Sequence, residues 1–235
     1  IEHDGDGLAW LTFDKAGESA NTFSADALEE LARALEDIAA ARPKGLVIRS
    51  AKASFVAGAD IEAFTRLRSA AEALAFVKQG WDVLQQLREL PFPTTAMVNG
   101  FCMGGGVELA LACRHRVALE DPSTRFALPE VMLGIMPVWH GVQWLPRLVG
   151  PSAALELMLT GKSVDARRAK RIGLVDEAAP LRVFENTARR LTLEGRAPRR
   201  LPMRERLMLG PLRGLVARQA ERQLARRARR EHYPA

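Results

Sequence analysis

Two glutamates stand in unusually apolar company. Glu108 follows Gly104, Gly105 and Gly106 and opens the apolar run of FCMGGGVELALAC; Glu130, 22 residues later, lies in FALPEVMLGIMP. An ionised carboxylate is costly to bury. Two carboxylates in apolar settings can divide acid and base roles at one reaction centre. Taken singly, each has a plainer reading. A carboxylate in the first turn of a helix suits the dipole, and Leu-Pro-Glu is otherwise a loop with a charge. The glycine run is equally two-sided. Free N–H groups at a helix start suit a phosphate or a developing oxyanion, and glycines also allow a tight strand-to-helix turn. The run is neither G-x-x-x-x-G-K-[ST] nor G-x-G-x-x-G. FVAGADIEAF (Phe55–Phe64) offers a second backbone surface. The small side chains of Ala57, Gly58 and Ala59 leave N–H groups accessible, and Asp60 suits the cap of a following helix.

Other chemistries find less support. His3, His115, His140 and His232 are scattered, and none makes a zinc spacing with Cys102 and Cys113. No metal is therefore expected. There is no G-x-S-x-G elbow. The single Tyr233 and scattered Phe residues form no RNA-reading pattern. Two cysteines make no disulfide framework, so a reducing, cytoplasmic compartment is expected. No run of eighteen apolar residues occurs, so no transmembrane segment is expected.

Elements must position these residues. LAWLTF (Leu8–Phe13), GLVIRS (Gly45–Ser50) and FPTTAMV read as strands, the last entered at Pro93 and left by an Asn99-Gly100 turn. SADALEELARALEDIAAA has helical spacing with Ser24 as its cap, and a long helical pattern runs from about Arg66 to Leu90. HRVALED reads as a strand and STRFALPEVMLGIMP as a partly extended loop. Helices follow at Ser152–Thr160, Asp165–Ile172 and Val183–Leu193, with GLVDEAAP a strand-like return among them. GRAPRRLP is a linker by composition, and Arg204–Arg230 is helical with a break at Gly210-Pro211. Alternating strands and helices argue for an α/β fold. The 235 residues, 48% hydrophobic and 26% charged, suit one globular domain with room for an appendage. The charge is uneven. Twelve arginines against Glu205 and Glu221 between Arg196 and Arg230 carry +10 of a total of +6, which leaves the body mildly acidic. Such a tail is either a solvated helix face or a binder of acidic partners.

Taken together, ANTFS, FVAGADI, NGFCMGGGVELALAC, LPEVMLGIMP and LPRLVGPSAALELMLTGKSVDARRAKRIGLVDE resemble, in order, the crotonase (enoyl-CoA hydratase/isomerase) superfamily. The likeness runs from Leu8 to about Pro180. It implies an α/β superhelix of repeated ββα units with C-terminal helices. It also implies a coenzyme A thioester substrate, with CoA arriving as part of that substrate and no separate cofactor or metal. On the family pattern, the N–H groups of Ala59 and Gly105 hold the thioester oxygen, Glu108 activates water and Glu130 protonates C2. Hydration of 2-trans-enoyl-CoA to 3-hydroxyacyl-CoA in β-oxidation is the activity implied, with isomerisation of 3-enoyl thioesters as a second. Ala20, Ala57, Asp60 and Ile61 fall where the family binds CoA.

The sequence also departs from the pattern. Glu18 and Ser19 replace a basic residue that often contacts a CoA phosphate. Val138, Trp139 and His140 put bulk where many members have glycine-rich chemistry, either narrowing the acyl pocket or packing beneath the loop. The stretch ARQAERQLARRARREHYPA resembles the linker helix of multifunctional β-oxidation proteins. That likeness divides the chain into a catalytic domain, 1–195, and a basic helical tail, 196–235, leading to a dehydrogenase domain absent from this chain. A homo-oligomer or a thiolase subunit is the expected protein partner. Some relatives bind RNA, but without aromatic platforms nucleic acid is not the expected partner here.

Overall fold

The computed structural model describes residues 1–60, 68–197 and 201–227. Its chain order is a repeated device. A strand enters a main sheet, the chain turns into a second, smaller sheet, and a helix returns it to the start of the next strand. The main sheet holds β1 (Glu2–His3), β2 (Leu8–Phe13), β3 (Gly45–Ser50), β4 (Thr94–Val98), β6 (His115–Leu119) and β9 (Glu177–Ala179), in the order β1-β2-β3-β4-β6-β9. Only the β1–β2 pair is antiparallel. The smaller sheet is β5 (Phe101–Met103), β7 (Arg125–Ala127) and β8 (Val164–Asp165). Single bridges, Val56 to Cys102 and Phe23 to Ala59, extend the same pattern into the earlier turns. This is the α/β superhelix of ββα units.

The helices form for local reasons. In α1 (Ala25–Ala41), the Ser24 side chain accepts the Ala27 N–H, and Leu28, Leu31, Leu35 and Ile38 bury one face. In α2 (Ala70–Glu89), Ser69 accepts the Glu72 N–H, so this helix starts four residues later than its periodicity suggests. Residues 66 and 67 of the expected span lie outside the described residues. Helix α3 (Gly105–Ala112) is buried on all sides. Then come α4 (Gly141–Val149), α5 (Pro151–Thr160), α6 (Ala166–Ile172), α7 (Leu181–Glu194), α8 (Met203–Leu209) and α9 (Arg213–Arg227). The break at Gly210-Pro211 separates the last two, and residues 228–230 of the expected helix lie outside the described residues. The stretch expected to be a partly extended loop holds β7 and a 3-10 turn at Pro129–Leu133.

Alternation along the main sheet feeds two cores. Ala9, Leu11, Leu46, Ile48 and Ala96 face the larger core, which includes α1, α2 and α3. Leu8, Trp10, Val47 and Val117 face Phe184, Ala188 and Leu191 of α7 on the other side. Asn21 ties the strand exits together at the site's edge. Its amide donates to the carbonyls of Phe13 and Phe55 and to Ser50 Oγ, and its Oδ1 accepts the Lys15 N–H.

Candidate active site

Each glycine of the run 104–106 has its own reason. Gly104 turns β5 into α3 at φ +50°, a conformation L side chains rarely adopt. A Cβ on Gly105 would meet the Trp139 ring at 2.6 Å, and one on Gly106 would meet the Val56 carbonyl at 2.2 Å. The run therefore serves a turn and two close approaches together. Its carbonyl at Gly104 accepts from Val107 and Glu108, so the helix begins at once. The Gly105 N–H, first in the helix, has no acceptor within the described residues.

The Ala59 N–H is left over in the same way. Phe23 donates to the Gly58 carbonyl and accepts from Asp60, both at 2.9 Å. In such a parallel bridge the groups of the middle residue, Ala59, turn to the other side, and its N–H finds no acceptor within the described residues. The two loops adjoin: a Cβ on Gly58 (φ +97°) would lie 3.7 Å from the Gly105 nitrogen.

Ala57, Gly58, Ala59, Gly104, Gly105, Glu108 and Glu130 all line one pocket of about 80 Å³, closed by Trp139 and Val138 and edged by Leu133, Ile135 and Met136. Glu108 is 2% exposed and Glu130 8%. Glu108 Oε1 accepts the Gly141 N–H at 2.7 Å. Burial pushes Glu108 up to about 8 from 4.5, the Gly141 N–H opposes that rise, and the Glu130 charge adds to it. Burial also raises Glu130, whose Oε2 is buried with no hydrogen-bond partner. Since Glu130's charge adds to the cost of ionising Glu108, the free pair favours holding one proton near neutral pH.

Trp139 does both things its bulk suggested. It is buried, edge-on to Phe23 at 5.6 Å and against Phe76 at 5.4 Å, and it forms a pocket wall. Gly80 in mid-helix makes room for it, since a Cβ there would lie 2.1 Å from the ring. His140 adopts φ +76°, unusual for a side chain of its size. It is held between Trp81 (ring centroids 3.6 Å apart) and Trp144 (4.1 Å, stacked), with its Nε2 3.2 Å from the Trp81 carbonyl. That turn starts α4 and aims the Gly141 N–H at Glu108. Sequence reasoning missed Gly141, because a backbone donor leaves no residue-type signature.

The remaining expected positions are less central. Ala20 is half-buried and outside the pocket lining, one residue before Asn21, whose carbonyl accepts the Ala57 N–H at 2.8 Å. Asp60 is outside the lining as well, 3.6 Å from Lys15 Nζ. Ile61 lies outside the described residues. Where Glu18 and Ser19 lack a positive charge, Lys15 folds back to the loop and donates to Thr22 Oγ1 at 2.9 Å. Among the described residues no group of three or more His, Cys, Asp or Glu is placed to hold a metal, and no helix is long and apolar enough to cross a membrane.

Comparison with known proteins identifies the family and the fold. The enoyl-CoA hydratase/isomerase family model matches residues 4–226. A fatty acid oxidation complex subunit alpha of Vibrio cholerae is 44% identical over 236 residues, covering 97% of this chain and 33% of its own length. The protein of that name in Aliivibrio fischeri is 40% identical, covering 99% and 34%. The chain thus spans about a third of the length of these curated relatives. Among solved structures, an enoyl-CoA hydratase of Bacillus anthracis superposes with a TM-score of 0.76 at 31% identity, covering 82% of this chain and 74% of that one. By family match, relatives and fold, the chain belongs to the enoyl-CoA hydratase/isomerase family, the crotonases.

Proposed function

We propose that the protein adds water to 2-trans-enoyl-CoA to give 3-hydroxyacyl-CoA. The observation that carries this reading is one apolar pocket lined by two buried carboxylates, Glu108 and Glu130, and by two residues with unspent N–H groups, Ala59 and Gly105. The thioester oxygen takes those two N–H groups, which stabilise the negative charge it gains during addition without having to reorganise. Water sits between the carboxylates. Glu108, ionised, takes one proton from the water as its oxygen bonds to C3. Glu130, protonated, gives its proton to C2. One water is consumed, and the pair again holds one proton with the two partners exchanged. Burial of both carboxyls supports that shared proton, because it keeps the doubly ionised state costly.

The test is the loss of enoyl absorbance on adding enoyl-CoA thioesters of graded chain length. Glu108→Gln and Glu130→Gln each lower turnover by about two to four decades. Unchanged rates in both variants refute the assignment.

Finer points belong to the same reading. A partner-free Glu130 oxygen supports proton shuttling between C2 and C4 of a 3-enoyl thioester, read by conversion of that substrate. The length of the relatives supports placing residues 196–235 as a linker to a dehydrogenase domain, with a thiolase subunit or a second copy as partner. The mass of the native polypeptide decides the first of these, and a native product ending at Ala235 refutes it. Cys102 and Cys113, both free and buried, suit the cytoplasmic setting of that reading.

A further inference from the structure

The far end of α3 carries a second pocket, of about 240 Å³, that the reaction does not use. Gly105 and Glu108 belong to the helix's N-terminal turn; this pocket surrounds its C-terminal residues Leu111, Ala112 and Cys113. Four arginines line it: Arg88, Arg114, Arg116 and Arg147. Two have structural work. Arg116 is 3% exposed and spans the Cys113 and Leu174 carbonyls and Asp176. Arg88 donates to the Leu111 carbonyl at 3.2 Å and lies 4.6 Å over the Trp144 ring. The side chains of Arg114 and Arg147 make no hydrogen bond or ion pair among the described residues. Asp176, paired with Arg116, is the one carboxylate within ion-pair distance of any of the four among those residues.

Unpaired arginines spread over a surface are ordinary. Here they converge on one concavity, where burial first, and then the charges of Arg116 and Arg147, hold the Arg88 guanidinium below its usual range. The fold gives Arg88 and Arg116 partners but leaves Arg114 and Arg147 without one among the described residues, and an anion in the pocket would relieve the remaining repulsion. We propose that this pocket binds a phosphoryl dianion, as inorganic phosphate, diphosphate or the phosphate end of a small ester. The count of cations favours a multiply charged group over a single carboxylate. Guanidinium forks match the oxygens of a phosphoryl group in pairs. Trp144 already carries Arg88 and stacks on His140, so the pocket is built for a charged head rather than a nucleobase.

The experiment titrates the 235-residue protein with inorganic phosphate and with diphosphate at constant ionic strength, by calorimetry and by thermal shift against chloride. Citrate serves as the carboxylate control. Both phosphates bind and raise the melting temperature, diphosphate more tightly, and Arg114→Gln/Arg147→Gln weakens both at least tenfold. Arg147→Gln alone, on an exposed side chain, weakens them measurably if the double variant does not fold. The hydratase rate of a folded variant in phosphate-free buffer is unchanged. Equal binding by wild type and variant, a response no larger than chloride's, or tighter binding of citrate than of diphosphate overturns the proposal; the last outcome points to a carboxylate-bearing partner.

Discussion

Glu108→Gln should make the protein more stable and less active, and the gain in stability should depend on pH in a fixed direction. The fold raises the Glu108 carboxyl from 4.5 to about 8 because the residue is 2% exposed. A raised carboxyl favours the folded state in its protonated form. Its contribution is therefore intact below pH 4.5, declines as pH rises towards 8, and is lost above that. One pH unit of such a difference corresponds to about 1.4 kcal/mol, so the whole interval amounts to about 5 kcal/mol. Glutamine keeps an oxygen for the Gly141 N–H and never ionises. Urea unfolding of both proteins at matched pH between 4.5 and 9 reads Glu108 together with its coupling to Glu130, since the remaining titrating groups largely cancel in the comparison. The excess stability of the variant should grow by several kcal/mol across the interval and then level off. A difference that stays flat within about 1 kcal/mol from pH 5 to 9 would show that Glu108 is not held in a costly ionised state, and the account of the site would fall with it.

Two further outcomes follow from the same geometry. The pH profile of kcat/KM should be bell-shaped, with an alkaline limb near the Glu108 value of about 8, because the free pair must keep one proton; a rate still rising at pH 9 would contradict the shared-proton scheme. Gly80→Ala drives a Cβ to 2.1 Å from the Trp139 ring and should cost about 1–3 kcal/mol by overpacking. In a Trp139→Ala background the same change should instead gain up to about 1 kcal/mol of helix propensity, and the larger pocket should accept longer acyl groups. Additive effects in that double-mutant cycle would mean that Trp139 does not fill the space beside Gly80.

What could be read in the sequence divides by the range of the physics involved. Strands β2 and β3 and helix α1 carry their own signals, in apolar runs, a Ser24 cap and buried positions three and four apart, and the structure keeps their bounds. The start of α2 moved because Ser69, a cap, outweighs a periodicity that continues upstream. Helix α4 was missed. Pro146 lies inside it, and it opens on Gly141 just after His140, so its composition reads as loop; Trp144, Leu145 and Val149 stabilise it through burial in the tertiary core. The three residues of β5 are too few to show alternation, and pairing with β7 makes them a strand. In the site, Glu108, Glu130 and the glycine run were visible as chemistry, whereas their meeting depends on successive turns of the superhelix. Gly141 and the wall made by Trp139 depend on that meeting, so no local pattern announces them.

The distribution of unspent polar capacity argues for the same centre. Folded chains pair nearly all buried donors and acceptors, because each one left alone costs about 1–3 kcal/mol. Among the described residues six buried side-chain atoms lack a partner, and three of them, Glu130 Oε2, Trp139 Nε1 and His140 Nδ1, belong to the pocket or the turn beside it. The idle N–H groups of Ala59 and Gly105 add two more, on the pocket's own lining. Stability alone would have removed this cost: an alanine or leucine at 108 would spare the fold a buried carboxyl. A ligand that brings an acceptor for the two N–H groups and a water for the two carboxylates satisfies them together. That concentration of unmet hydrogen bonds in and beside one apolar pocket is what the proposed hydration requires, and imperfect packing alone would not produce it.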